Sequence, residues 1–304
     1  MECIPVVMLI FGMLPAFLTQ IQGLDLECGK LREAQLYNMK QITEPDEYPW
    51  VGRVGFGNSS DPNPDLKCSA VLIHKRYALL SARCVLTPYG FGDATFILFG
   101  DWQATENIRK EDCRREGNNL KCSPPPQAVN IEELVVHPMY DSKNFDYEIA
   151  LAKLVGNVQF SDFVQPICLP PVREVEGNHI AQRLEMTGFR GETFNKVEPL
   201  ADEYRFRTKL VVQTASSEFC AWNWQQVGLT FNSENQLCAM VDVRDSALTG
   251  GTLMGIEFEG EKPRNFYVIG IASITVKTAS KPPVIIHKFM RIAPFRDWIL
   301  KNMI

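Results

Sequence analysis

Short runs of β-branched and aromatic residues alternate with turn residues along most of the chain. These runs predict strands at 50–56, 69–72, 78–81, 95–99, 131–136, 149–154, 205–213 and 266–276. No long amphipathic helix separates them, so we expect antiparallel sheets that close into barrels or stack as a sandwich. The exception is 289–304, where apolar residues from Met290 to Ile299 share one face at helical spacing and predict a terminal helix.

The first residues of the chain form an apolar stretch that is typical of a secretory signal peptide. Residues 4–21 are nearly all apolar, and positions 3 to 24 carry no charge. A membrane anchor is the alternative interpretation. Pro5, Pro15 and the polar ending before Gly23 favour cleavage, so we predict a signal peptide at 1–23.

The remaining chain is predicted to contain a linker at 24–47, which carries Cys28, and a single domain at 48–304. A length of 304 residues and a hydrophobic content of 45% are sufficient for a packed core. The formal net charge of −5 gives no electrostatic reason to expect binding to nucleic acid or to an anionic membrane. We expect a secreted, extracellular protein with no membrane anchor.

Cysteine usage agrees with an extracellular compartment. Of the 9 cysteines, Cys3 falls in the predicted signal peptide. The even set that remains is Cys28, Cys68, Cys84, Cys113, Cys122, Cys168, Cys220 and Cys238. In a secreted chain this set predicts disulfides. A zinc site is the alternative, but no close cluster of cysteine and histidine occurs in the sequence, so we expect no metal and no cofactor.

Several short segments occur in an order that is typical of one protein family. They are Glu-Tyr-Pro-Trp at 47–50, the stretch 68–84, Val-His-Pro-Met-Tyr at 136–140 with Tyr-Glu-Ile-Ala-Leu at 147–151, the stretch 164–170, Gln-Leu-Cys-Ala at 236–239 and Phe-Arg-Asp-Trp-Ile at 295–299. On these segments the chain resembles a chymotrypsin-type (S1) serine protease domain. The resemblance implies an all-β fold, a double six-stranded antiparallel β-barrel with a C-terminal helix.

The same resemblance implies a disulfide pattern that the sequence alone does not fix. The implied pairs are Cys28–Cys168, Cys68–Cys84, Cys113–Cys122 and Cys220–Cys238. The loop between Cys113 and Cys122, with the prolines that follow it, is similar to arthropod proteases of the clip-domain group. We expect no clip domain here, because only about two dozen residues separate the predicted signal peptide from the protease-like part.

Two positions of the implied catalytic triad carry unusual residues. Arg83 stands where the resemblance implies the histidine base, and Glu148 stands where it implies the aspartate. A guanidinium stays protonated and only donates hydrogen bonds, so Arg83 cannot accept a proton from a serine. Glu148 is either exposed to solvent or paired with Arg83, and we favour a bidentate ion pair that fills the site.

The nucleophile segment at 244–253 permits two registers. In one, Thr249 occupies the serine position and two glycines follow in step; in the other, Ser246 is the nucleophile and the glycines are displaced. We favour Thr249, which also shortens the loop that supplies the oxyanion hole. The activation segment is unusual as well: Lys40 is a candidate cleavage site, but the new N-terminus would be Gln41.

Other candidate residues have simpler interpretations. His137 matches a structural position of the family, while His74 is predicted in a surface turn and His179 and His287 in loops. Asp245 marks either a specificity pocket or a plain loop. Asn58 begins the sequon Asn-Ser-Ser and is a candidate glycosylation site. Trp222 and Trp224 form either an exposed aromatic patch or, as we favour, part of the core.

These features predict a secreted serine protease homologue that lacks catalysis. By resemblance, we expect it to act as a binding regulator or cofactor in an extracellular cascade of the innate-immunity or melanisation type, with proteases, zymogens or protease inhibitors as partners. One alternative is a binding protein of a reproductive fluid or matrix. Another is a weak serine-type endopeptidase that uses Ser246 or Thr249 with an unusual base.

Overall fold

The computed structural model describes residues 27–85, 93–104, 107–190, 202–241, 250–278 and 284–303. The strands in these ranges are β1 (Val51–Phe56), β2 (Asp65–His74), β3 (Tyr77–Leu80), β4 (Ala94–Phe99), β5 (Asp112–Glu116), β6 (Asn119–Ser123), β7 (Gln127–Val136), β8 (Ala150–Leu154), β9 (Arg183–Gly188), β10 (Thr208–Thr214), β11 (Gln236–Val241), β12 (Thr252–Glu259), β13 (Lys262–Lys277) and β14 (Ile285–Arg291). The α-helices are α1 (Glu33–Leu36), α2 (Asp202–Arg205), α3 (Ser217–Gln225) and α4 (Arg296–Asn302).

The strands form two closed antiparallel barrels. The first has the order β1-β2-β3-β8-β7-β4 and the second has the order β10-β11-β14-β13-β12-β9. Strands β5 and β6 form a separate two-stranded ribbon between β4 and β7 in the chain. Closure satisfies the main-chain hydrogen bonds of each barrel without leaving open edges. The predicted double six-stranded barrel is therefore confirmed.

Each barrel is filled by apolar residues from neighbouring strands. In the first barrel, Val71, Leu79 and Leu151 lie side by side on β2, β3 and β8 and are buried. In the second barrel, Leu237 and Phe289 lie opposite each other on β11 and β14 and are also buried. Burial of such side chains contributes about 1.5–3 kcal/mol each, which explains why these strands keep their register.

The terminal helix begins later than the apolar pattern predicts. Residues 289–291 belong to β14, where Phe289 pairs with Leu237 on one side and Ala272 on the other. A 3-10 turn over Ala293–Phe295 follows, and α4 begins only at Arg296. The prediction of a helix from 289 is wrong there because pairing with both neighbouring strands outweighs a helical spacing of apolar residues.

The four disulfides of the structure have the pairing that the family resemblance implies. Cys28–Cys168 attaches the N-terminal part to the barrels, and Cys68–Cys84 joins β2 to the turn after β3. Cys113–Cys122 closes the β5–β6 ribbon, and Cys220–Cys238 joins α3 to β11. These disulfides fix segments that bury little apolar surface of their own.

The predicted linker at 24–47 is packed into the fold over its second half. Ile42 forms an antiparallel bridge with Thr208 at the start of β10, and Thr43 is buried. The predicted signal peptide at 1–23 lies outside the described residues. Within the described ranges, no helix is long and apolar enough to cross a membrane.

Candidate active-site cleft

Arg83 is positioned by the turn that ends β3. The chain leaves the first barrel at Leu80 and forms a 3-10 turn over Ala82–Cys84, in which the Cys84 amide donates to the carbonyl of Ser81 at 3.0 Å. The buried Cys84 is fixed by its disulfide to β2. Since both neighbours of Arg83 in this turn are buried, the turn directs the Arg83 side chain into the cleft with 26% of it exposed.

Glu148 is positioned by the turn that precedes β8. Tyr147 has a φ of 50°, a conformation that is uncommon for a residue with a side chain, and its ring stacks on His137 with centroids 5.0 Å apart. The His137 amide donates to the carbonyl of Ile149 at 3.0 Å. These contacts hold Glu148 in place, and its side chain is completely buried.

The two predicted triad positions meet in the cleft between the barrels. Arg83 Nε lies 3.3 Å from Glu148 Oε1, and Arg83 Nη2 donates to the backbone carbonyl of Ser273 on β13. The predicted ion pair is present through this contact, and Nη2 is turned towards Ser273. The Arg83 guanidinium thus joins a loop of the first barrel to a strand of the second.

Two hydroxyl groups complete the surroundings of the buried carboxylate. Ser81 Oγ donates to Glu148 Oε1, and Ser273 Oγ donates to Glu148 Oε2. Neither serine is among the site residues predicted from the sequence. Ser81 was recognisable because it lies two residues before Arg83. Ser273 was not, since 125 residues separate it from Glu148 along the chain.

The electrostatics of the site follow from burial and from the cations near Glu148, of which Arg83 has the larger effect and Lys288 the smaller. Burial raises the pKa of Glu148, while Arg83 and the two serine hydroxyls oppose the rise. Burial and the charge of Glu148 raise the pKa of the nearby Tyr140 to about 12, so its phenol stays neutral at physiological pH. Arg83 offers only donors here, so the position supplies no proton acceptor.

Two glycines lie beside this cluster. Gly250 has a φ of +73°, and its amide donates to the carbonyl of Ala272 at 3.1 Å. A Cβ at Gly250 would lie 2.6 Å from the carbonyl oxygen of Ser69 on β2, so only glycine fits there. Gly251 accepts a hydrogen bond from the Ala272 amide at 2.8 Å. The candidate nucleophiles Ser246 and Thr249, like Asp245, lie outside the described residues.

The sequence profile of the family described as trypsin matches residues 39–299. The matched stretch contains both barrels and every residue of the cleft described above. The chain belongs to the trypsin family. Its match begins at residue 39, within the predicted linker, which agrees with the packing of Ile42 and Thr43 against the fold.

Among curated trypsin-family proteins, the chain is similar to arthropod proteases. It is 30% identical to phenoloxidase-activating factor 1 of Holotrichia diomphalia, covering 91% of this chain and 72% of that protein. It is also 30% identical to CLIP domain-containing serine protease HP8 of Bombyx mori, covering 94% and 74%. A further relative, 26% identical over 91% of this chain and 38% of its own length, is inactive serine protease PAMR1 of Bos taurus.

Solved structures show the same fold. The Drosophila Grass clip serine protease of the Toll pathway superposes with a TM-score of 0.72 at 24% identity, covering 93% of this chain and 76% of that one. At this identity the likeness shows the architecture alone.

The four histidines of this trypsin-family chain all have partners away from Glu148. His74 and His137 each accept a backbone amide at 3.3 Å, from Arg76 and Met139. His179 pairs with Glu174, and the Nδ1 atom of His287 lies 3.0 Å from the Thr275 hydroxyl. The loop predicted for His287 is wrong: the residue lies on β14, and burial lowers its pKa to about 4.

The remaining candidates divide between core and surface. Trp224 is completely buried, as predicted, and Lys288 Nζ lies 5.2 Å from its ring centroid. Trp222 is 61% exposed, so the prediction that it is buried is wrong; the turn of α3 places it on the opposite face. Asn58 is exposed, and its side-chain oxygen accepts the Ser60 amide at 2.9 Å.

Among the described residues, one group has ligand atoms close enough to one another to hold a metal ion: Glu111, Cys113 and Cys122. The two cysteines form a disulfide, so their sulfur atoms are not free thiolates that would ligate an ion.

Proposed function

We propose that this trypsin-family protein is a secreted, catalytically inactive homologue that acts by binding, as a regulator or cofactor of an extracellular protease cascade. The proposal depends on one observation, the contact of Arg83 with Glu148 and Ser273 in the cleft. A serine or threonine hydroxyl needs a neighbouring base to become a nucleophile, and a guanidinium does not take that proton.

The surroundings of Arg83 support the same proposal. Glu148 is engaged by one cation and two hydroxyl donors, and burial raises its pKa. The contacts of the four histidines to other partners support the absence of a substitute base. Loss of the base alone costs about six orders of magnitude in turnover in a serine protease.

The nucleophile register favoured by the sequence has structural support from its neighbours. Both glycines that follow Thr249 are hydrogen-bonded to Ala272, and Gly250 lies against Ser69 in a space that excludes a side chain. Because these contacts fix both glycines in place, they favour the register in which Thr249 occupies the serine position. The alternative register, with Ser246 as the nucleophile, would displace the glycines. We propose that Thr249 occupies the degenerate serine position and has no catalytic role.

The relatives favour a role in a melanisation-type cascade. They include a phenoloxidase-activating factor and a CLIP domain-containing serine protease. The four disulfides agree with secretion. We propose that the partners are proteases, zymogens or protease inhibitors of such a cascade, bound through surface loops of the two barrels.

Purified secreted protein tests the catalytic half of this proposal. We expect no turnover of peptide substrates and no covalent labelling by a fluorophosphonate, with an active trypsin-family protease as the positive control. The variant Arg83→His restores the base alone. We expect it to show no turnover of peptide substrates either, because Thr249 and Glu148 are unchanged. Fluorophosphonate labelling at Ser246 would overturn the proposal and favour the weak endopeptidase.

The regulatory half needs a separate assay. A clip-domain protease is mixed with its zymogen substrate, with and without this protein, and the rate of zymogen activation is followed. We expect a dose-dependent change in that rate, unaltered by prior treatment of this protein with fluorophosphonate. No effect, and no binding to either component, would contradict a role in that cascade.

A further inference from the structure

The bond between Lys40 and Gln41 is the candidate activation site, yet the chain that follows it is part of the fold. Lys209 donates its amide to the carbonyl of Gln41 at 2.8 Å, and Thr43 donates to the carbonyl of Arg207 at 3.0 Å. A protease binds its substrate as an extended strand, through the same main-chain groups. Those groups are already occupied by Lys209 of β10 and by Arg207, which directly precedes β10.

The segment 41–47 is called here the buried segment because Thr43, Pro45 and Glu47 within it are buried. It also covers cationic side chains. Arg207 is completely buried and donates to the carbonyl of Pro45 at 2.8 Å and to Thr43 Oγ1 at 3.3 Å. Lys209 Nζ forms a buried ion pair with Glu47 at 2.7 Å. Lifting the buried segment into a protease would leave both cations without these partners, which is strongly unfavourable.

A third contact fixes the backbone at the centre of the buried segment. The indole nitrogen of Trp102 donates to the carbonyl of Thr43 at 3.0 Å, and Trp102 is itself buried. Trp102 follows β4 in the first barrel, whereas the bridge to Ile42 comes from the second barrel. The buried segment is therefore held from both barrels.

The side chain of Lys40 is held as well. Its ammonium lies 2.8 Å from Glu116 on the β5–β6 ribbon and 3.7 Å from Glu44. Lys121 of the same ribbon bridges both carboxylates, at 2.8 Å to Glu116 and 2.6 Å to Glu44. A trypsin-like enzyme must withdraw this lysine into its own pocket. That withdrawal requires breaking the network.

We infer that the buried segment and the β5–β6 ribbon lock the Lys40–Gln41 bond, so that the folded protein works as a single uncut chain. This inference goes beyond the proposed function, which concerns catalysis and binding. Cleavage at the activation site serves to make a protease active. A homologue without catalysis does not need cleavage of the Lys40–Gln41 bond for that purpose. Cleavage after Lys40 is measured as a new chain end at Gln41 and not as enzymatic activity. Rapid cleavage would therefore overturn this inference without bearing on the proposed lack of catalysis.

The test compares the intact protein with a synthetic peptide of residues 35–47 under limiting trypsin at native pH. The product is quantified by mass spectrometry as fragments that begin at Gln41, in glutamine and pyroglutamate forms, so cuts elsewhere do not interfere. We expect the bond to be cut about 100-fold more slowly in the protein than in the peptide, because opening must break several hydrogen bonds first.

Two variants assign the protection to the contacts described. Glu116→Gln weakens the hold on the Lys40 side chain and should speed the cut about threefold. Trp102→Phe removes the donor to Thr43 and should speed it about fivefold. The matched control is Glu132→Gln, which weakens a comparable exposed pair with Arg76 in the first barrel and should leave the rate unchanged.

Cutting within about tenfold of the peptide rate would overturn the inference, since it would show that opening is easy. Equal rates for Glu116→Gln, Trp102→Phe, Glu132→Gln and the wild-type protein would overturn it too, because the protection would then not come from these contacts. Circular dichroism of each variant confirms that a faster cut reflects local opening of a folded protein.

Discussion

The buried carboxylate of Glu148 makes Arg83 a residue that stabilises the fold, and the variant Arg83→Ala tests this. The side chain of Glu148 is fully buried, and Arg83 is the nearest cation, at 3.3 Å. Removing one partner of a buried ion pair costs about 3–5 kcal/mol. Arg83 is 26% exposed and the hydroxyls of Ser81 and Ser273 remain, so we expect about 2–3 kcal/mol at pH 8.

The cost should depend on pH with a definite sign. Burial raises the pKa of Glu148 above its ordinary value of 4.5, and Arg83 opposes the rise. Without Arg83 the folded pKa rises further, whereas the unfolded pKa is unchanged. A carboxyl with a raised folded pKa loses stability as pH rises through that value. The difference between wild type and Arg83→Ala should therefore be largest at pH 8 and should shrink towards pH 5, as pH falls through the raised folded pKa of the variant and then of the wild type.

Thermal and urea unfolding between pH 5 and pH 8 measures this difference. A loss of 2–3 kcal/mol corresponds to a fall of about 5 °C in melting temperature for a chain of this size. The double variant Arg83→Ala/Glu148→Gln should recover part of the loss, because the buried charge is gone. The control is Arg173→Ala, which removes a pair with Glu257 in which Arg173 is 69% exposed, and it should change stability by less than about 0.5 kcal/mol.

Equal stability of Arg83→Ala and wild type at pH 8 would refute the reasoning. It would mean that the two serine hydroxyls, or solvent entering the vacated space, stabilise the buried carboxylate as well as the guanidinium does. A loss that is the same at pH 5 and pH 8 would refute the electrostatic part alone and leave lost packing of the Arg83 side chain as the cause.

Further predictions concern other buried or exposed groups. Lys209→Met leaves Glu47 buried without its cation and should lower the free energy of unfolding by about 3–5 kcal/mol, with partial recovery in Lys209→Met/Glu47→Gln, measured by urea unfolding. Burial lowers the pKa of His287 to about 4, so the stability present above its ordinary value of 6.5 should be lost as pH falls towards 4. The loss amounts to about 3 kcal/mol and should disappear in His287→Gln, and an unchanged pH profile in that variant would contradict it. Cys113→Ser/Cys122→Ser frees the β5–β6 ribbon and should accelerate trypsin cleavage after Lys40, whereas Cys220→Ser/Cys238→Ser should not. Asn58 is exposed and should carry a glycan in protein from a eukaryotic secretory host; a mass loss on glycosidase treatment that persists in Asn58→Gln would contradict this.

Much of the architecture was predictable because it depends on local pattern and on ordered family segments. The strands around 50–56, 95–99 and 149–154 were placed to within about one or two residues from β-branched and aromatic runs. Strands β5, β6, β9, β11, β12 and β14 were not predicted. Several of them mix charged residues with apolar ones, and pairing with neighbouring strands, rather than their own composition, makes them strands.

In the candidate site, too, some features were predictable from the sequence and others depend on tertiary contacts. The residue types at 83 and 148 follow from the sequence, and so does the conclusion that a guanidinium at position 83 is no base. The geometry does not: Nε of the guanidinium faces Glu148, while Nη2 donates to the backbone of Ser273. Ser273 comes from the second barrel, so its role depends on how the barrels pack together.

The sequence by itself determined the all-β class, the cysteine set and the loss of histidine at position 83. These are properties of residue types and of short spacings, which need no knowledge of distant contacts. Only the tertiary structure decided that Glu148 is buried with two serine donors, that His287 is a strand residue, and that residues 41–47 are part of the fold. Each of these depends on groups far apart in the chain, whose proximity is fixed only when both barrels close and pack.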